Sequence, residues 1–259
     1  MEFTKIIFER KDGIAKITLN RPEAMNGLDM DILREMETAL NECEKDDGVR
    51  VVVITGKGRA FSAGADLKYQ LNVIAGDVVR ELEFIRLVGR VTNIIYSLSK
   101  PVIAAVNGFA LAGGLEVLMA CDLAIAADDA QIGDQHINYA LLPGAGDSQR
   151  LPRLIGARKA KEYLFTGKWM SAQEAERVGV VNQVVPADKL EEAVNEMAAR
   201  IVSKSPVTMK EMKRLVNKGL ETDLHAGLEM EGQACVLHIT SDDAKEGLRA
   251  FIEKREPKW

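Results

Sequence analysis

Cysteine is scarce in this chain. The three copies, Cys43, Cys121 and Cys235, are odd in number, far apart, and form no C-x-x-C pair. That excludes a disulfide framework or a zinc knuckle and fits a reducing compartment. Long apolar runs are missing too. None approaches the ~20 residues of a bilayer-spanning helix, and the opening stretch MEFTKIIFERKDG lacks the basic start and apolar centre of a secretory signal. The chain is therefore expected to be cytoplasmic, with no membrane partner. Positive charge is in deficit: 34 Lys and Arg face 39 Asp and Glu, for a net charge of -5. That balance argues against a nucleic-acid partner. The stretch RLPRLIGARKAK, from Arg150 to Lys161, is locally basic; it reads as a solvated helix face or as a site for an anionic ligand. Only three histidines occur. No metal site, no phosphate loop of the G-x-x-x-x-G-K-[ST] type and no dinucleotide fingerprint is found, so no metal and no redox cofactor is expected.

What is present is apolar residue in quantity, 47% over 259 residues, enough for one large core or a core with a helical appendage. Ile6 to Arg10 and Ile14 to Asn20 alternate around a KDG turn, which predicts a hairpin. Ile32, Met36, Leu40 and Cys43 share a helical face, with Asp29 as N-cap. VRVVVITGKG and PVIAAVNG read as buried strands, and LAIAADDAQIG as one further strand. GDVVRELEFIRLVGRVTNIIYSLS reads as a long amphipathic helix stopped by Pro101. Shorter helices are expected over GGLEVLMACD, ARKAKEYLFTG, SAQEAERVG and ADKLEEAVNEMAARIVSK, with a capping box from Ser171 to Glu174 and a short strand in VVNQVVP. Beyond Ser205 the pattern is helical, broken near Ile239 to Asp242. The expected division is a strand-and-helix body over 1–204 and a helical region over 205–259.

Two stretches join a strand to a helix through small residues. One is RAFSAGADLKYQ, with Ala63, Gly64, Ala65 and Asp66; the other is NGFALAGGLEVL, with Ala112, Gly113 and Gly114. Small side chains let a ligand approach the main chain, and helix starts leave N–H groups without internal partners. Facing each other, two such turns would offer two donors to one oxygen, the arrangement that stabilises an enolate or oxyanion. Each turn taken alone is equally a tight connection with close helix–sheet packing.

The stretches LNRPEAMNGLDMDIL, FSAGADLK, KPVIAAVNGFALAGGLEVLMACDLAIAADDAQIG, LPGAGDSQRLPRLIG and FTGKWMSAQEAERVGVVNQVVP, in that order, resemble the enoyl-CoA hydratase/isomerase family of the crotonase superfamily. The ending EGLRAFIEKREPKW is similar as well, so the resemblance spans nearly the whole chain. It implies an α/β fold, a crotonase-like spiral of repeated β-β-α units with a C-terminal helical trimerisation region, assembled as a trimer or a dimer of trimers. It implies an acyl-CoA substrate, with coenzyme A entering as part of that substrate and no separate cofactor. It places the oxyanion hole on the N–H groups of Ala65 and Gly113. Ala24, Met25 and Asn26, with Ala63, Asp66, Leu67 and Lys68, match the stretches that line CoA. Phe109 is implied as a CoA- or substrate-binding residue, Tyr139 matches an acyl-pocket position, and Phe251 and Lys254 match positions that reach a neighbouring subunit's CoA.

Glu116 falls on the first of the family's two catalytic glutamates, one turn beyond Gly113. Its i+4 neighbour is Ala120, so no helical ion pair explains it. The second glutamate is missing: where hydratases read FGQPEIxxG, this chain reads IGDQHINYA, and His136 stands at the catalytic position. Three readings follow. His136 takes over proton transfer in water addition, since imidazole titrates near neutral pH. Alternatively it serves different chemistry on the same oxyanion, such as thioester hydrolysis, carbon–carbon cleavage or isomerisation. Or it binds a polar group on the acyl chain. The leading expectation is a hydro-lyase acting on a 2-enoyl-CoA with Glu116 and His136 as catalytic pair; a hydrolase, an isomerase and an idle CoA-binding subunit are the alternatives. Asp147 is a second departure, PGAGD in place of PGAGG; it reads as a contact for His136 or the acyl tail, or as a cap on the following helix, and capping is the preferred expectation.

Overall fold

The computed structural model describes residues 3–74 and 76–259. Two sheets organise the body. The larger has six strands in the order β1-β2-β3-β5-β7-β10: β1 Ile6–Lys11, β2 Ile14–Leu19, β3 Val51–Gly56, β5 Val102–Val106, β7 Leu123–Ala127 and β10 Gln183–Val185. The smaller has four in the order β4-β6-β8-β9: β4 Ala60–Ser62, β6 Phe109–Leu111, β8 Gln131–Gly133 and β9 Met170–Ser171. β1 and β2 form the expected hairpin, antiparallel with Ile6 opposite Leu19. From β2 through β10 the large sheet runs parallel.

Parallel strands covered on both faces read as continuous apolar runs, and this sheet shows why. Val51, Val53, Ile103, Ala105, Ile125 and Ala127 point to one face, against Leu190, Val194 and Ala198 of helix α8, Leu190–Val202. The alternate residues, including Val52, Ile54, Ala104 and Ala126, enter the main core. There they join Ile32, Met36 and Leu40 of α1, Met30–Lys45, and Phe84, Leu87 and Val91 of α3, Val78–Ser97. Asp29 caps α1 as expected, accepting from the N–H groups of Asp31 and Ile32 at 3.0 and 2.9 Å.

Each turn of the coil takes one strand of the large sheet, one of the small sheet, then helix. β3 leads to β4, β5 to β6 and β7 to β8, and successive turns step one place along both sheets. This is the repeated β-β-α spiral. LAIAADDAQIG, read as one strand, is two strands in different sheets, with the Asp128–Asp129 turn between them. Helices α2 Leu67–Tyr69, α4 Gly113–Ala120, α5 Asp147–Ile155, α6 Ala157–Thr166 and α7 Ala172–Val178 complete the body. Ser171 caps α7, its hydroxyl accepting from the Glu174 N–H at 3.1 Å.

The chain ends in α9 Pro206–Gly219, α10 Leu224–His238 and α11 Asp242–Glu253. The break between the last two falls where the sequence placed it. Lys213 ties α9 to the body: its side chain is only 7% exposed, and its ammonium sits 2.7 Å from the Asp122 carboxylate and donates to the Ile95 and Lys100 carbonyls. These helices leave large apolar side chains in the open, among them Met212, Val216, Leu220, Leu224, Leu237 and Phe251. Among the described residues, no helix is long and apolar enough to cross a membrane.

Candidate active site

Three neighbouring parallel strands of the small sheet, β4, β6 and β8, each end in a turn that carries candidate site residues. The end of β4 carries Ala63–Ala65. The end of β6 carries Ala112–Gly114 and, one helical turn on, Glu116. The end of β8 carries Asp134 and His136. Ligands in α/β proteins gather at the carboxyl ends of parallel strands, and here one cavity of about 410 Å³ collects Ala65, Gly113, Glu116 and His136 on its wall. Leu67 lines it as well.

The first two turns are pressed together, and glycine makes that contact possible. A Cβ on Gly64, whose φ is +92°, would lie 2.8 Å from the Gly113 nitrogen; one on Gly113 would lie 3.5 Å from the Ala65 nitrogen. A Cβ on Gly114 would meet the Ser62 carbonyl oxygen at 2.1 Å. Ala112, just before α4, holds φ at 49° without being glycine, a strain of about 1–3 kcal/mol that surrounding packing sustains. The Leu28 N–H donates to the Gly64 carbonyl and the Asp66 N–H to the Leu28 carbonyl, which leaves the intervening Ala65 N–H free. Neither the Ala65 N–H nor the Gly113 N–H has an acceptor among the described residues.

Arg21 anchors the first turn from below. Its guanidinium, 15% exposed, lies 2.8 Å from the Asp29 carboxylate and 2.9 Å from that of Asp66, and donates to the Gly27 carbonyl. Asp66 also accepts from the Lys68 and Tyr69 N–H groups, capping α2. Burial pushes the Asp66 carboxyl upward, but the Tyr69 N–H and the Arg21 guanidinium together hold it below the usual aspartate range. A carboxyl with a depressed folded-state pKa stabilises the protein above its unfolded value, and that contribution disappears as pH falls through the folded value. Asp66→Asn is therefore expected to cost about 1–2 kcal/mol at neutral pH. The difference from the parent should vanish under acid conditions, as urea denaturation at both pH values would show.

Glu116 is 3% exposed. Its Oε1 accepts from the Ala145 N–H at 2.6 Å and from the Asp147 N–H at 3.4 Å, while Oε2 has no hydrogen bond among the described residues. Two main-chain donors thus answer the question of what partners a lone acid in an apolar helix: not a cation but the loop before α5. That loop is braced by Arg150, which donates to the Ala145 carbonyl and to Asn93 and lies 5.9 Å from the Tyr96 ring. The basic stretch is accordingly split, with Arg150 turned inward and Arg153, Arg158 and Lys161 in solvent.

His136 opens a short 3-10 turn, His136–Tyr139. Its Nδ1 is hydrogen-bonded to Asp134 Oδ1, the same oxygen that accepts its own backbone N–H at 3.1 Å. Asp147 Oδ2 lies 3.7 Å from the same Nδ1. The expectation that Asp147 caps a helix is not met. It is the first residue of α5 rather than the residue before it, it makes no capping bond, and its carboxyl is fully buried with both oxygens unpartnered. The glycine-to-aspartate change has put an acid into the core beside Glu116.

The remaining sequence candidates are spread more widely. Asn26 is fully buried and structural in its bonds: its amide donates to the Ala60 and Lys57 carbonyls and its oxygen accepts from the Arg21 N–H. Ala24, Met25, Ala63, Asp66 and Lys68 flank the first turn outside the cavity wall. Phe109 packs edge-on against Trp169 at 6.0 Å. Tyr139 is exposed, and Phe251 and Lys254 sit on or just beyond α11, away from the cavity of this chain. Sequence reasoning missed the apolar walls, chiefly Leu71, Phe84, Ile85, Leu141 and Leu142, because helical core and pocket lining share one periodicity. It also missed Asp134 as a partner of His136, although the D-x-H spacing was a usable signal.

The profile of the family described as Enoyl-CoA hydratase/isomerase matches residues 9–259. A crotonyl-CoA hydratase of Syntrophomonas wolfei is 40% identical over 257 residues, covering 99% of this chain and 98% of its own. A short-chain-enoyl-CoA hydratase of Clostridium acetobutylicum is 40% identical over 259 residues, with 99% and 97% covered. The crystal structure of an enoyl-CoA hydratase from Bacillus anthracis superposes with a TM-score of 0.95 at 40% identity, covering 99% of each chain. With paired small-residue turns, a buried acid after the second of them and full-length similarity of this order, the chain belongs to the enoyl-CoA hydratase/isomerase family and has the crotonase fold.

Proposed function

We propose that the protein is a hydro-lyase that adds water across the double bond of a 2-enoyl-CoA, or removes it in reverse. The observation that carries this reading is the meeting of two unpaired main-chain N–H groups, Ala65 and Gly113, with Glu116 and His136 around one cavity. The thioester oxygen would accept from both amides. As water oxygen bonds to the β-carbon, the double-bond electrons move onto the thioester oxygen as an enolate. Donors fixed beforehand stabilise such developing charge without reorganisation. The proton leaving water goes to one member of the Glu116–His136 pair. The enolate then collapses, the α-carbon takes a proton from the same pair, and the enzyme regains its starting protonation.

Coenzyme A enters as part of the substrate, and the reading needs no further cofactor. The apolar walls of the cavity suit a hydrocarbon acyl chain. We also read the exposed apolar face of α9–α11 as an interface between copies of this chain, trimeric or a dimer of trimers, because patches of this kind mark association. Reduced Cys43 and Cys121 in the body fit a cytoplasmic enzyme.

A second reading, thioester hydrolysis, draws support from the Asp134–His136 contact, since a carboxylate-oriented imidazole is a general base suited to directing water at a carbonyl. One assay separates the two. With crotonyl-CoA, loss of the conjugated thioester absorbance without free thiol is the expected result. Release of thiol from saturated and unsaturated acyl-CoA alike would overturn it in favour of the hydrolase. Tight binding with neither signal would leave a CoA-binding subunit.

A further inference from the structure

Behind His136 lies a group of buried acids that water addition alone does not require. Asp134 is 2% exposed and Asp147 fully buried, and one polar atom from each, with one from His136, falls within 4.8 Å of the others. Asp147 also faces Glu116, whose Oε1 its own N–H approaches, and Arg150 of the same helix. Arg150 offsets this only in part: it attracts the Asp147 carboxyl but forms no ion pair with it, its guanidinium donating instead to the Ala145 carbonyl and Asn93. A charged carboxylate with two bare oxygens in such a place would carry a large desolvation penalty. A neutral carboxyl escapes the penalty and gains a proton to donate.

We propose that Asp134 is a positioning residue for His136, and that Asp147, carried as the neutral acid, donates to Asp134 and completes a chain Asp147–Asp134–His136 behind the imidazole. The inference rests on the hydratase reading of the site and deepens it. Asp134 is the charged member. Burial pushes its carboxyl up, yet the imidazole and backbone N–H of His136 hold it below the usual range. Asp147 is pushed well above that range, first by burial and then by the carboxylates of Glu116 and Asp134. Two acids driven in opposite directions are the pattern of a shared, localised proton.

The chain has a consequence for the imidazole. With Nδ1–H donated to Asp134, the second ring nitrogen, Nε2, is left as a lone-pair acceptor. His136 then enters the reaction as the proton acceptor, taking the proton from water at Nε2, and it is this proton that the Glu116–His136 pair afterwards returns to the α-carbon.

Two spectroscopic measurements on the whole protein test this without turnover. Nitrogen-15 NMR of labelled imidazoles, with His136 assigned by its loss in His136→Gln, should show the Nδ1–H tautomer at neutral pH. Asp134→Asn should shift it towards Nε2–H. Infrared difference spectra between the parent and Asp147→Asn should show the carbonyl band of one neutral carboxylic acid at neutral pH. Kinetically, Asp134→Asn should lower kcat by about 10–100-fold, as loss of an orienting partner does, with KM little changed. An Nε2–H tautomer in the parent, or absence of the acid band, overturns the proposal. So does a stoichiometric divalent cation found by elemental analysis and removed by chelation, which would make the three residues ligands. If Asp134→Asn fails to fold, the parent spectra still decide. An intact chain in a protein silent towards crotonyl-CoA would sink the hydratase reading and leave the chain standing.

Discussion

Glu116→Gln is expected to slow hydration of crotonyl-CoA by about 10²–10⁴-fold, the range that positioned acid–base groups contribute. Glutamine has nearly the shape of glutamate, and its carbonyl oxygen can still accept from the Ala145 N–H, so the loop before α5 should hold. What is lost is an acid able to take and return a proton. Unfolding midpoints should therefore move little while kcat collapses. The measurement is steady-state loss of enoyl absorbance beside a urea titration of the same samples. A variant with a small change in kcat would remove Glu116 from the chemistry and reduce it to a brace for residues 145–147.

Gly64→Ala should do comparable damage by a different route. The new methyl carbon would stand 2.8 Å from the Gly113 nitrogen and 2.9 Å from the Leu111 carbonyl oxygen, so the two turns must part. Loss of one donor to an oxyanion costs about 10²–10³ in rate. The positive φ adds a strain of about 1–3 kcal/mol in stability. Gly179→Ala is the control. Gly179 holds a similar φ of +89° but a Cβ there meets nothing within 4 Å. It should reproduce the backbone strain and leave turnover alone. Equal losses of rate in both variants would mean that the spacing of the turns is irrelevant to catalysis.

The long amphipathic elements were legible from spacing alone, since a 3.6-residue period over sixteen residues, as in α1, leaves little choice of buried face. The small sheet was not. Its strands are two or three residues long, too short to display alternation, and two of the three ends that build the site belong to apolar runs with no polarity contrast. Glu116 was legible because an acid inside an apolar helix contradicts its surroundings. Asp147 was legible only in part: contact with His136 was among its readings, but in sequence it stands where caps stand, and capping was preferred. Only the packing of α5 against α4 shows the carboxyl turned into the core. The site's apolar walls come largely from α3 and from the loop around Leu141 and Leu142, with Leu67 and Leu71 added just beyond the first glycine turn.

Adjacent strand ends give the small sheet a modular character. On the proposed reading, polarisation of a carbonyl falls to main-chain atoms at the ends of β4 and β6. The choice of reaction falls to side chains, Glu116 after β6 and His136 after β8. On that reading, changes confined to a handful of codons after residue 133 would alter the proton-handling groups there and leave the two main-chain donors in place.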